Sequence, residues 1–224
     1  MDSGSTVGPC TNPVFTSSDP HEDHTFPNGY TVFNNVWSGS GGPQTIYACS
    51  PSSWYVVSNQ PVLPDSRGEI KSYPCTQWMF NGRALNTLTA IDSTFAHTAP
   101  ASGVWNASYD IWLGPGGWDI EVMLWTDYRY LATLPPGGNE TDRPTIDGQP
   151  YIAWAEPDHK YIALAMTQKK TSGTVNFRHV FDWLVSKGWV PANAPLHAFE
   201  YGVEIAETNG PATFSVNDFS VTSR

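Results

Sequence analysis

Eleven short runs of β-branched and aromatic residues, most of them alternating apolar with polar, recur along this chain of 224 residues, and a period of two commits it to strands. They fall at 30–37, 46–48, 54–57, 69–73, 88–91, 108–113, 119–125, 151–155, 161–166, 198–205 and 213–221, each closed by turn residues. Such a run has one apolar face to bury, so the chain is expected to stack two antiparallel sheets. Glycine and proline, 19 of each, spread through the length without gathering into a linker, which reads as one domain over residues 1–224.

One segment breaks the pattern. Phe177, Val180, Phe181, Leu184 and Val185 recur at steps of three and four, the period of one helix face. Asn176 or Thr174 can cap its start, Lys187 sits in its last turn, Gly188 suits the left-handed C-terminal position, and Pro191 prevents continuation. This is expected to be the one real helix, lying on the outer face of a sheet, with Trp189 folding back on Leu184.

Lys and Arg total 11 against 21 Asp and Glu, a net charge of −10, and this acidic balance sets aside nucleic acid and anionic membranes as partners. No stretch approaches the roughly 20 apolar residues that span a bilayer. Residues 1–20 lack the apolar core of a signal peptide, so an export signal is expected to have been removed or never to have existed. Cys10, Cys49 and Cys75 permit one disulfide in any of three pairings. The sequons at Asn106 and Asn139 carry meaning only in a secreted eukaryotic protein. His21-Glu22-Asp23-His24 reads as a solvated loop, and neither a metal nor an organic cofactor is expected. No nucleophile elbow, phosphate loop or dinucleotide fingerprint occurs.

The informative region is SYDIWLGPGGWDIEVMLW, residues 108–125, which reads as strand, Gly-Pro-Gly-Gly turn, strand. Tyr109, Ile111 and Leu113 share one face of the first strand, as Ile120, Val122 and Leu124 do in the second, and these apolar sets belong to the core. Asp110 and Trp112, with Asp119, Glu121, Met123 and Trp125, are left on the other side. In Phe199 to Ile205 the same alternation turns Glu200, Gly202 and Glu204 away from the core, Gly202 leaving room for a ligand or a neighbour. Acids and rings together on one face suit a sugar-binding cleft, and of ten Trp, ten Tyr and ten Phe about half of the tryptophans, Trp183 and Trp189 among them, are expected to pack the core.

At these residues the chain resembles glycoside hydrolase family 12, the small endo-β-1,4-glucanases. The resemblance rests on Gly29-Tyr30-Thr31-Val32-Phe33-Asn34-Asn35-Val36-Trp37, Glu69-Ile70-Lys71-Ser72-Tyr73-Pro74, Ser108-Tyr109-Asp110-Ile111-Trp112, Glu121-Val122-Met123-Leu124-Trp125 and Tyr201-Gly202-Val203-Glu204. It implies a β-jelly roll of two curved antiparallel sheets with one α-helix and an open cleft on the concave face. It further implies Glu121 as nucleophile, Glu204 as general acid/base and Asp110 as the carboxyl group bonded to the nucleophile. Trp37 and Asn35 would line the non-reducing side, Met123 and Trp125 the floor, with Trp112 beside them. Cys10 and Cys49 match a disulfide seen in many members, leaving Cys75 free.

The implied activity is retaining endo-hydrolysis of cellulose and related β-glucans by a secreted monomer. That chemistry needs two carboxyl groups about 5–5.5 Å apart. Their pKa values should be pushed in opposite directions, giving a bell-shaped profile with its optimum on the acidic side of neutral. Residues 126–138 depart from the family's short glycine-rich loop with extra tyrosines and an arginine, and are expected to border the leaving-group side of the cleft. Two alternatives stay open. A non-catalytic polysaccharide-binding β-sandwich would need the rings without the converging acids, and a xyloglucan- or xylan-directed endo-hydrolase would use the same carboxylates on another glycan.

Overall fold

Strand pairing follows the alternation. The computed structural model describes residues 10–62, 68–129 and 137–224. In chain order the strands are β1 (Phe15–Ser17), β2 (Asp23–Thr25), β3 (Thr31–Phe33), β4 (Gln44–Ser50), β5 (Ser53–Ser58), β6 (Cys75–Ala84), β7 (Ile91–Thr98) and β8 (Val104–Leu113). There follow β9 (Ile120–Arg129), β10 (Asn139–Asp142), β11 (Thr145–Ile146), β12 (Gln149–Ala155), β13 (Tyr161–Met166) and β14 (Ser172–Asn176). The helix α1 (Phe177–Ser186) and the long β15 (Pro195–Glu207) and β16 (Ala212–Ser223) complete the chain.

The strands form a β-jelly roll. The smaller sheet has six strands in the order β1-β4-β5-β16-β7-β14. The larger has ten, in the order β10-β12-β13-β9-β8-β15-β6-β3-β2, with β11 paired to β12. β13 lies parallel to β9.

Aromatic rings join the layers. Tyr109 of β8 and Tyr201 of β15 lie 4.7 Å apart between centroids, Phe95 of β7 meets Tyr109 at 5.9 Å, and Phe219 of β16 stacks on Tyr201 at 6.0 Å. All four are buried, each burial contributing about 2 kcal/mol. Because side chains alternate, turning Tyr109 and Tyr201 inward turns Asp110 and Glu200 to the opposite face of the large sheet.

The helix forms where its period places it. Asn176 Oδ1 accepts from the backbone N–H of Arg178 at 3.1 Å and of His179 at 3.4 Å, and Gly188 adopts φ 72°. Trp189 N–H returns to the Leu184 carbonyl at 3.1 Å. Its placement corrects the expectation of an outer face: the Phe177 ring lies 4.7 Å from Tyr109 and 4.7 Å from Phe199, both inward residues of the large sheet. A face carrying Phe177, Val180, Phe181 and Leu184, all buried, belongs on the apolar inner surface. Trp183 and Trp189 pack edge to face at 5.2 Å and are half-buried at the margin of the core.

Strand expectations change, and β1, β2, β10, β11 and β14 lie outside the eleven expected runs altogether. Residues 69–73 form no strand, only bridges from Ser72 to Val36 and Ile205. A 3-10 turn, Leu85–Thr87, precedes β7, which begins where the run at 88–91 was expected to end. The ten-residue β6 was not anticipated at all. Cys10 and Cys49 are disulfide-bonded, tying the segment before β1 to β4, and Cys75 is a buried free thiol.

Candidate active site

Three adjacent strands of the large sheet carry the acids. Glu200 lies opposite Asp110 and Glu204 opposite Asn106 across β15 and β8, while Met123 lies opposite Asp110 and Glu121 opposite Trp112 across β8 and β9. The β8–β9 hairpin sets that register. Its turn needs positive φ at Gly114 (112°) and Gly117 (91°), and the Asp119 carboxylate clasps it by accepting Gly116 N–H at 2.5 Å. Asp119 thus serves the turn, and it lines the same depression as Glu121.

The floor is apolar. Met123 and Trp125 form a second buried cluster with Trp154, Ala163 and Ala165, and Tyr161 Oη donates to Met123 Sδ at 3.3 Å. Glu121 lines a depression of about 490 Å³ together with Trp118, Glu156, Lys160 and Tyr161. Trp112 is half-buried and meets the exposed Trp118 at 5.1 Å. Toward the β3 side, Trp37 is 49% exposed and borders a second depression of about 400 Å³. Asn35, at φ 45°, donates its Nδ2 to the Tyr73 carbonyl at 3.1 Å and so fixes the loop that presents Trp37.

Glu121 and Glu204 lie six positions apart along the intervening β8, about 20 Å in a flat sheet. Yet the Glu204 charge bears on Glu121 more strongly than that of Glu200, which is nearer in register. In register Asp110 lies between the two on the same face, two positions along β8 from the partner of Glu121 and four from the partner of Glu204.

Electrostatics depart from expectation. Burial first, then the charges of Glu204, Glu200 and Glu156, push Glu121 up to about 8. Glu204 is pushed up to about 7 by burial, opposed by the hydrogen bond it accepts from Asn106 Nδ2 at 2.6 Å. Burial, then Glu121, Glu200 and Glu204, hold Asp110 well above the usual carboxylate range. The two candidate catalytic carboxyls thus shift in the same direction, not apart. The cause is physical: both are desolvated, and no Lys or Arg forms an ion pair with either among the described residues.

Asn106, Gln77, Trp118 and the chemistry of Glu200 escaped the sequence reading. Asn106 had a signal, since it shares the alternating face of Asp110, but the strand was begun two residues too late. The same residue is a poor glycosylation site, being fully buried and bonded to Glu204, whereas Asn139 is exposed. Residues 126–129 continue β9 and are not loop, with Tyr128 Oη donating to the Met166 carbonyl at 3.1 Å. Of the rest of the expected loop, 130–136 lie outside the described residues, and Gly137 lines the depression that holds Glu121. The 21–24 segment is more than a solvated loop: His24 belongs to β2, stacking on Phe15 at 5.0 Å, and Glu22 accepts from Ser17 Oγ. Among the described residues no helix is long and apolar enough to cross a membrane.

Comparison with known proteins bears on this geometry. The profile of Glycosyl hydrolase family 12 matches residues 28–223. Endoglucanase S of Pectobacterium parmentieri is 25% identical over 228 residues, covering 87% of this chain and 83% of its own. The xyloglucanase domain of NopAA, a type three effector from Sinorhizobium fredii solved with cellobiose, superposes with a TM-score of 0.79 at 30% identity, covering 95% of this chain and all of that one. The family 12 xyloglucanase from Bacillus licheniformis gives 0.81 at 25% identity, covering 94% and 100%.

Proposed function

The chain belongs to glycosyl hydrolase family 12 and is a glycoside hydrolase, and from that premise we propose that it is a retaining endo-β-1,4-glucanase whose reaction is carried by Glu121, Glu204 and Asp110. The observation that supports this reading is that the three carboxyls share one face of the adjacent strands β9, β8 and β15, where Glu204 bears on Glu121 and both bear on Asp110. Glu121 attacks the anomeric carbon while Glu204 gives its proton to the departing oxygen; a water, deprotonated by Glu204, then displaces Glu121. Asp110 hydrogen-bonds Glu121. Met123 and Trp125 form the floor, and Trp37, Asn35 and Trp112 line the sugar path, where an exposed ring can stack on the apolar face of a pyranose.

The test is release of reducing sugar from barley β-glucan. Glu121→Gln and Glu204→Gln are each expected to lower it by at least about a thousandfold while the protein still binds the polymer. Full activity in either variant would overturn the assignment, and binding without hydrolysis in the unaltered protein would favour a polysaccharide-binding sandwich.

Xyloglucan is the second reading, supported by the activities named for the Sinorhizobium and Bacillus relatives. Comparing rates on xyloglucan, barley β-glucan and carboxymethylcellulose decides between them. Action outside the cell, as a monomeric single domain, fits the Cys10–Cys49 disulfide, since such bonds persist in oxidising compartments.

A further inference from the structure

Glu200 is a fourth carboxyl group on the same face, and the reaction above gives it no task. It is 8% exposed, as is Asp110 directly across the β15–β8 pair. Side chains so placed have Cβ atoms about 4.5–5.5 Å apart, and like charges in that position repel. One of the two must therefore hold a proton when the site is empty. The surroundings decide which. Glu200 Oε1 accepts from Gln77 Nε2 at 2.5 Å, and Cys75 Sγ donates to its other oxygen at 3.9 Å, both from the neighbouring β6. These two donors favour the ionised form of Glu200 and oppose the burial that raises it to about 7. Asp110 accepts a hydrogen bond from Trp112, but its buried Oδ1 has no partner among the described residues, and burial beside three acidic neighbours raises it.

We propose that Glu200 is a positioning residue for the hydrolysis: with Gln77 and Cys75 donating to it, Glu200 ionises before Asp110 and keeps the proton on Asp110, so that Asp110 presents an O–H to the nucleophile Glu121 instead of a second negative charge. The inference rests on the assignment of Glu121 and Glu204 made above. The groups bearing on Asp110 are Glu200 and Glu204 from β15, Glu121 from β9, Cys75 from β6, Tyr73 before β6 and Tyr161 from β13. None is a cation, so Glu200 is the member of this set whose charge can be deleted without touching the reacting pair. Its charge also raises Glu121.

The test is the pH dependence of kcat/KM on a soluble β-glucan for the full chain, its Glu200→Gln variant and its Glu200→Asp variant. With the charge gone, Asp110 releases its proton at lower pH and Glu121 ionises at lower pH, so both limbs of the bell move toward acid by about one pH unit. Glu200→Asp, which keeps the charge, restores at least half of that shift. Gln77→Leu, which weakens the ionised form of Glu200, moves the limbs in the same direction by less and serves if Glu200→Gln does not fold. A bell superimposable on that of the unaltered protein, whatever its height, would overturn the inference, as would a uniform rise in KM with unmoved limbs, the signature of a mere sugar contact. If Glu121→Gln is inactive while the Glu200→Gln bell stays put, only this inference fails; if Glu121→Gln stays active, the site assignment itself fails.

Discussion

At the scale of single residues, what alternation decides was readable and what a neighbouring strand decides was not. The faces of Asp110, Glu121, Met123 and Glu204 follow from period two once Tyr109 and Tyr201 are recognised as core. Their shared upward pKa shift does not, because it depends on desolvation in the assembled cleft. Gly202 shows the same boundary. It reads as space for a ligand or a neighbour without deciding which, and the neighbour takes it: a Cβ there would lie 2.2 Å from the Pro74 carbonyl oxygen and 2.7 Å from Cys75 Cβ, so the glycine permits the close approach of β6. Gly202→Ala must push β15 from β6 between Glu200 and Glu204, and is expected to cost about 1–3 kcal/mol. A thermal melt of the variant checks this, and an unchanged midpoint would show that the approach can relax freely.

At the scale of elements, strands with inward apolar residues were legible and those that bury polar ones were not. β7 turns Ile91, Ser93, Phe95 and His97 inward, and its two polar members look like surface until their partners are known: Ser93 Oγ donates to the Ser220 carbonyl at 2.6 Å, and His97 Nδ1 bonds Tyr201 Oη at 2.8 Å. β6 hides for another reason. Asn81-Gly82 has the composition of a tight hairpin turn and both residues take positive φ, 54° and 81°, yet the strand continues past them as an irregularity opposite Leu196 and Ala198. The helix was legible because its period, cap and stop signals agree. Its cap gives a clean test: Asn176→Ala leaves two N-terminal N–H groups without their acceptor and should cost about 1 kcal/mol. For a chain of this size the melting midpoint should fall by roughly 2–4 °C. No change would mean that Phe177 and its core contacts alone fix the helix start.

At the scale of the whole molecule, the cleft is held at a cost to the fold. Glu121, Glu200 and Glu204 have folded-state pKa values of about 8, 7 and 7 against ordinary values near 4.5. Raised values mean that the folded state holds protons that the unfolded chain has already released. Stability is therefore fully present below about pH 4.5 and is lost as pH rises through 7 to 8. One such proton is worth about 1.4 kcal/mol per pH unit, so Glu121 alone loses about 4 kcal/mol between pH 5 and 8, a drop of roughly 10 °C in the midpoint, and Glu200 and Glu204 add to that loss up to about pH 7. Net charge of −10 adds repulsion of the same sign, but that contribution lies on the surface and is screened by salt, whereas Glu200 is buried and Glu121 and Glu204 are partly buried. Melts at pH 5 and 8 in low and high salt separate the two. A slope that survives high salt and shrinks in Glu200→Gln, which should melt above the unaltered protein at pH 8, locates the instability in the four carboxyl groups of this face; a flat profile, or one abolished by salt, would show that the cleft acids keep ordinary protonation in the folded state.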